Sequence, residues 1–365
     1  MAFVVATVAM PTSALAQAST ELAHLTDGLE DEVRRILKES SIPAISIALV
    51  RKGEVVWANA FGLANVSAAT PATAETYFST GSTLKPVTAA AVMQLVDAGR
   101  FTLDSRFNAI VPEALAIRGA DDVTLRHLLT HHSGLEGPVD IVSLWGREPL
   151  RSPEETIRAT RRIGPPGVEY RYCNECYTMA GYLVDLISGM SYDAYLADRI
   201  FRPLGSQFDS PSIPTPMLVE RLALPYTDED GVAVPIGQIR TNVFAAGDAY
   251  LRPTDMAAFL AMLLNGGTHR GQRILSSAGT AEILRRHFDS NGSGLGFNLS
   301  EVDGRAVVTK NGIFTGYHSF MIGDLETRHG AYVVANSTAA GQVVASLARL
   351  ALRLLSDEEA GASPR

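Results

Sequence analysis

Lysine is scarce in this sequence of 365 residues: of 31 basic side chains, four are lysine (Lys38, Lys52, Lys85 and Lys310) and 27 are arginine. Arginine keeps its proton, whereas a lysine amine can be tuned to act as a base, so each of the four asks for its own explanation. Charge of either sign is thin, at 19% of residues against roughly 25% in an average globular protein. The balance is acidic, with a net charge of −8, and a field of that sign argues against a nucleic-acid partner. Cysteine is limited to Cys173 and Cys176. Their C-N-E-C spacing lacks the two further ligands of a zinc site. A redox C-x-x-C belongs at the start of a helix after a strand, and this pair is expected in a Tyr/Asn-rich loop. A local disulfide and two free thiols both stay open. Phosphate loops, G-x-G-x-x-G fingerprints and fixed-period repeats are missing.

What is present is a large apolar fraction, 46%, enough for a sizeable core and for two domains or one domain with an insertion. Residues 1–16 carry no charge, hold about ten apolar residues and end Ala14-Leu15-Ala16, an A-x-A pattern. We read them as a secretion signal, atypical or beginning upstream because no basic n-region precedes them. The mature chain then starts at about Gln17, in a periplasmic or extracellular compartment. The apolar stretch is too short to span a bilayer, no later uninterrupted run is long enough, and no stable membrane insertion is expected.

Apolar periodicity predicts a helix over 22–40, with Lys38 complementing the dipole of its last turn. Strands over 46–50 and 54–59 read as a hairpin around Arg51-Lys52-Gly53, which makes Lys52 a turn residue. Helices follow over 82–98, 125–130, 178–188, 192–200 and 255–264, the last with Thr254 as N-cap. Strands return over 305–309, 317–322 and 331–335, before a helix over 343–355 and a polar tail, 356–365, that should fray. Gly292, Gly294 and Gly296 read as a loop before a strand. Strands at both ends bracket a helical centre, so the simplest packing joins them in one antiparallel sheet covered by the terminal helices.

Three short motifs could carry chemistry. In Ser82-Thr83-Leu84-Lys85, positions three apart share a helical face, so the amine reaches the hydroxyl. A desolvated lysine can take a serine proton, the helix start favours a developing oxyanion, and Pro86 suits the first turn. With 27 serines and four lysines, about 0.3 S-x-x-K matches arise by chance, so an ordinary helix start fits the tetrapeptide alone. In Tyr172-Cys173-Asn174, an extended backbone presents phenol and amide on one side. Nearby ammonium groups lower a phenol's pKa and let it relay protons; taken alone, the tripeptide is better read as a turn. Lys310-Asn311-Gly312 follows the strand at 307–309, where a lysine can face a cleft and glycine lets substrate approach. A charged edge-strand residue is the plainer alternative. His127 and His131, four apart, lack the glutamate of H-E-x-x-H, and no metal is expected. His318 is expected on an exposed strand or at the pocket wall, and Trp145, in 142–148, in a loop over the cleft.

The order S-x-x-K, Y-x-N, K-x-G resembles the penicillin-recognising serine hydrolases, in particular the branch of class C β-lactamases, low-molecular-weight D,D-peptidases and related esterases. Flanking text agrees over about 22–350: Thr76-Tyr77-Phe78-Ser79-Thr80-Gly81 before the serine, the run Thr124-Leu125-Arg126-His127-Leu128-Leu129-Thr130-His131-His132-Ser133-Gly134-Leu135, Pro203-Leu204-Gly205 and Asn265-Gly266-Gly267. The resemblance implies an α+β fold of the β-lactamase/transpeptidase type, an antiparallel sheet flanked by helices plus a mainly helical lobe. It would fill one catalytic domain over 20–355, with the sheet lobe at about 20–80 and 295–355 and the helical lobe at about 81–294. It implies Ser82 as acylated nucleophile, Lys85 and Tyr172 sharing acid and base duty, and Asn174, Lys310, Asn311 and Gly312 binding substrate. The backbone N–H groups of Ser82 and Ile313 would form the oxyanion hole, with no cofactor. The substrate would be a small amide or ester, β-lactam or D,D-peptide first; an esterase or D-amino-acid amidohydrolase is the alternative, and a non-catalytic penicillin-binding sensor a third reading. Lys310 favours a substrate carboxylate. Asn311, standing where K-T-G has a threonine, weakens that preference, and the resemblance gives Cys173 no role.

Overall fold

Strand β1 (Ala44–Arg51) is almost uniformly apolar and buried from Ala44 to Val50, the signature of a strand covered on both faces. The computed structural model describes residues 12–143, 150–206, 219–289 and 292–362 and places β1 inside a seven-stranded sheet. Its other strands are β2 (Glu54–Asn65), β3 (Thr70–Pro71), β4 (Asn298–Val302), β5 (Arg305–Phe314), β6 (Tyr317–Asp324) and β7 (Gly330–Ala335). The order is β4-β5-β6-β7-β1-β2-β3, antiparallel throughout. The two ends of the chain therefore meet side by side, Ile45 opposite Ala335 and Val50 opposite Gly330. The β1–β2 turn holds Lys52 at φ 52° and Gly53 at φ 79°, two left-handed residues in a row as a two-residue hairpin requires. Lys52 is the turn residue the sequence suggested.

Alternation sorts the strand residues onto two faces. Ile45, Ile47, Leu49 and Val333 meet Leu25, Leu29 and Val33 of α1 (Thr12–Glu39) and Val344, Leu347, Ala351 and Leu355 of α5 (Gly341–Ala362). Ala48, Val50, Met321, Tyr332 and Val334 face the centre of the chain. There α4 (Pro253–Leu264) lies against β1, β2 and β7, so this central helix is the second cover of the sheet. Its burial on nearly every side follows from its being apolar all round. Beyond it, α2 (Lys85–Asp97) packs on α3 (Asn174–Ser188).

Several boundaries differ from the periodicity. Arg252, not Thr254, is the N-cap of α4: Pro253 takes the first helical position, and Arg252 N–H donates to Asp255 Oδ2 at 3.1 Å. The polar tail is helical to Ala362, with Ser356 buried and its hydroxyl donating to Leu352 O at 2.9 Å. The stretch Thr338–Asp357 has the length and hydropathy of a membrane span. Its apolar stripe is spent on the sheet, however, and Arg349 and Arg353 occupy the exposed side. Of the expected leader, residues 1–11 lie outside the described residues, as does Trp145.

Candidate active site

Ser82 lies in a single 3₁₀ turn, Gly81–Leu84, that runs directly into α2 at Lys85. Three glycines bring backbone to this point. Gly81 sits at φ 51°, and a Cβ there would stand 2.7 Å from Ile313 N. A Cβ on Gly247 would reach 2.7 Å from the Gly81 carbonyl carbon and 3.1 Å from Ser82 N. One on Gly312 would collide with Thr80 O and Ser319 Oγ. Gly312 thus lets β5 close on the serine turn. Gly247→Ala is expected to push that turn off β5 and lower kcat/KM about 10²-fold, measured on any ester the wild type turns over.

Lys310 is inside β5, not beyond its end, because the strand runs on to Phe314. β4 pairs only as far as Thr309, so Lys310–Phe314 form the open edge of the sheet beside Ser82. On the other side, α3 begins at Asn174, four residues earlier than its apolar stripe suggests, with Cys173 as N-cap at φ −130°, ψ 106°. That change from extended to helical backbone aims Tyr172 and Asn174 at neighbouring points. Tyr172 OH donates to Ser82 Oγ at 2.7 Å, and Asn174 Oδ1 accepts from Lys85 Nζ at 2.8 Å.

Lys85 is fully buried, with its amine 3.1 Å from Ser82 Oγ and 2.8 Å from the Ala246 carbonyl. Burial pushes its pKa well below the ordinary lysine value; the charge of Lys310 pushes the same way and buried Glu175 opposes. A neutral amine has two N–H donors and one lone pair. Lys85 Nζ donates to Asn174 Oδ1, Ala246 O and Ser82 Oγ; in the neutral form the first two acceptors would take both N–H groups, and the lone pair would face the Ser82 hydroxyl. Ser82 in turn accepts from Tyr172. Every donor and acceptor in the chain of contacts is then matched.

Tyr172 departs from expectation. Its own burial raises its pKa, with the Ser82 hydrogen bond opposing and Tyr170 adding to the rise. The 43% of its surface that meets solvent tempers the size of that shift and leaves its sign. Its ring has Lys85 Nζ 4.8 Å and Lys310 Nζ 5.1 Å from the centroid. Burial holds Lys310, 3% exposed, at about 8. His131 lies against the Tyr172 ring, centroids 4.3 Å apart, and its Nδ1 accepts from Cys173 N–H at 3.1 Å. Burial, then Lys310 and Lys85, keep this imidazole neutral. His127 is engaged elsewhere, its Nδ1 accepting from Thr124 N–H.

A cavity of about 430 Å³ opens beside Ser82, lined by Val139, Ile141, Ile239, Val243, Ile313 and Phe314, with Asn174 and His318 among its polar members. His318 is therefore a pocket residue. Asn311 is exposed and, like Lys310, stands outside the residues that line this cavity; strand alternation places it on the same face as Ile313. Cys173 and Cys176 are joined in a disulfide, which closes the choice between bridge and thiols. Ala246 O and Gly247 had no sequence signal: a backbone carbonyl has no signature, and this glycine belongs to none of the motifs read; Gly81 stood in the stretch before the serine, with nothing local to show its contact with β5.

Sheet, cleft and a serine hydrogen-bonded to a buried lysine and a tyrosine define the chain as a serine hydrolase of the acyl-enzyme type. The sequence profile of the Beta-lactamase family matches residues 29–356, and the chain belongs to that family. It is 29% identical over 340 residues to penicillin-binding protein 4 of Amycolatopsis lactamdurans, covering 88% of this chain and 87% of that one. Identity is also 29%, over 242 residues, to the esterase EstB of Burkholderia gladioli, with 60% and 61% covered. The octameric penicillin-binding protein homologue from Pyrococcus abyssi superposes with a TM-score of 0.74 at 28% identity, covering 91% of this chain and 77% of its own.

Proposed function

We propose that this protein hydrolyses small uncharged esters or amides with an apolar acyl group, through an acyl-enzyme on Ser82. The observation that carries the reading is the convergence of the buried Lys85 amine and the Tyr172 hydroxyl on Ser82 Oγ, at 3.1 and 2.7 Å. Lys85 takes the serine proton as Ser82 Oγ attacks the substrate carbonyl. The backbone N–H groups of Ser82 and Ile313, brought close by Gly81 and Gly312, face the developing oxyanion. Tyr172, kept protonated, gives its proton to the leaving group and recovers one from the Lys85 ammonium beside its ring. Water then attacks the acyl-enzyme by the same groups in reverse, restoring Ser82 and releasing the acid.

Chemistry of the cavity supports an uncharged substrate, since among the described residues its lining contains no lysine, arginine, aspartate or glutamate. Lys310 supports a second reading, a carboxylate-bearing β-lactam or D,D-peptide, because it lies beside Tyr172. Export to an oxidising compartment belongs to the proposal, and the buried disulfide supports it. The test is turnover and intact mass with p-nitrophenyl butyrate, a penicillin, a chromogenic cephalosporin and a D-Ala-D-Ala peptide. The highest kcat/KM is expected on the ester. A higher value on the penicillin or the peptide would overturn the uncharged-substrate reading, and stable acylation without turnover would make the protein a sensor.

A further inference from the structure

We propose that the Cys173–Cys176 disulfide is a positioning clamp for Tyr172 and Asn174, and that full turnover requires it oxidised; this rests on the assignment of Ser82, Lys85 and Tyr172 above. Cys173 stands between the residue that bonds the nucleophile and the residue that bonds the base. Residues 163–173 ahead of it form no helix or strand, so nothing periodic fixes the approach of Tyr172 to Ser82. Instead residue 173 is tied three times. Its N–H donates to His131 Nδ1 at 3.1 Å, its Sγ accepts from Cys176 N–H at 3.0 Å, and the same sulfur is bonded to Cys176. Cys176 is in turn fixed in the first turn of α3, fully buried, its Sγ 3.1 Å from Ser133 Oγ. The bridge thus links the end of the catalytic loop to the helix that carries Asn174. Backbone freedom at residue 173 would otherwise spread both side chains over several positions, and reacting groups lose rate steeply when displaced by about 1 Å.

The pair does occupy the start of a helix, the place a redox C-x-x-C takes. The two cysteines are nevertheless 2% and 0% exposed, which closes the bridge to a protein thiol that must attack in line. A small dithiol can reach the bond only during opening. Reduction then moves two electrons and two protons from the dithiol, which becomes a disulfide, to the bridge, which breaks into two thiols.

Cys173→Ser/Cys176→Ser removes the cross-link and keeps an oxygen that can accept the Cys176-position N–H as an N-cap. With folding confirmed by circular dichroism at the assay temperature, kcat on p-nitrophenyl butyrate should fall about tenfold or more while KM stays within about twofold. Wild-type enzyme reduced with dithiothreitol, the gain of two hydrogens verified by intact mass, should lose activity by the same factor and regain it on reoxidation. Should the serine variant fail to fold, the reduced wild type decides. Wild-type kcat in the folded serine variant or in the verified reduced protein overturns the clamp. Mass mapping of the wild-type acyl adduct separates this from failure of the hydrolase reading: no adduct on Ser82 removes the latter, whereas an adduct with unchanged kcat removes only the clamp.

Discussion

Ser82→Ala is expected to abolish turnover, lowering kcat by about 10⁵-fold or more, with the fold intact. The position tolerates alanine because Ser82 is only partly buried, and its hydroxyl contributes hydrogen bonds to Lys85 and Tyr172, not packing. What is lost is the covalent intermediate: cavity, oxyanion N–H groups and Tyr172 remain, so any residual rate reports water attacking directly in a preorganised site. Steady-state kinetics on p-nitrophenyl butyrate, with near-UV circular dichroism as a control, reads the effect. The variant should still bind substrate, since the apolar lining that holds the acyl group is untouched.

Lys85→Met should cost about 10³–10⁴-fold in kcat/KM, the upper range for removal of a positioned general base. Methionine fills the buried volume without a lone pair for Ser82. Lys85→Arg should be no better, because a guanidinium cannot give up its proton and is larger than a site with no exposed surface admits. The sign of the pH dependence follows from the lowered lysine value. Above that value the amine is free and active; as pH falls through it, the amine is protonated and kcat/KM falls. Lys310→Met removes a neighbouring positive charge that helps hold Lys85 low, so the acid limb of kcat/KM should move to higher pH. A limb that moves down or stays in place would show that the titrating base is another group.

Much of the molecule was legible before its coordinates. The β1–β2 hairpin came from two apolar runs around Lys52-Gly53, and both residues do take positive φ. Joining the terminal strands in one sheet followed from where the β structure lay, and β1 does pair with β7. Ser82 and Lys85 were paired by helical spacing, and they do touch, though through a 3₁₀ turn at the head of the helix. The misses have physical causes. Asn311 and Gly312 resemble turn residues, yet tertiary pairing with Phe320 and Ser319 carries the strand through them. Nearby ammonium groups suggest a lowered pKa for Tyr172; its own burial raises it instead. No local pattern could report that Gly247 presses against the Ser82 turn, because that contact joins residues 165 positions apart in the chain.

The central claim is a covalent intermediate on Ser82 formed with Lys85 as base. Its most direct test is rapid-quench intact-mass analysis of the wild-type enzyme during turnover of p-nitrophenyl butyrate, followed by peptide mapping. One butyryl group per chain, located on Ser82, absent from Ser82→Ala and strongly slowed in Lys85→Met, is the predicted result. An adduct on another residue, or undiminished acylation of the alanine variant, would contradict it.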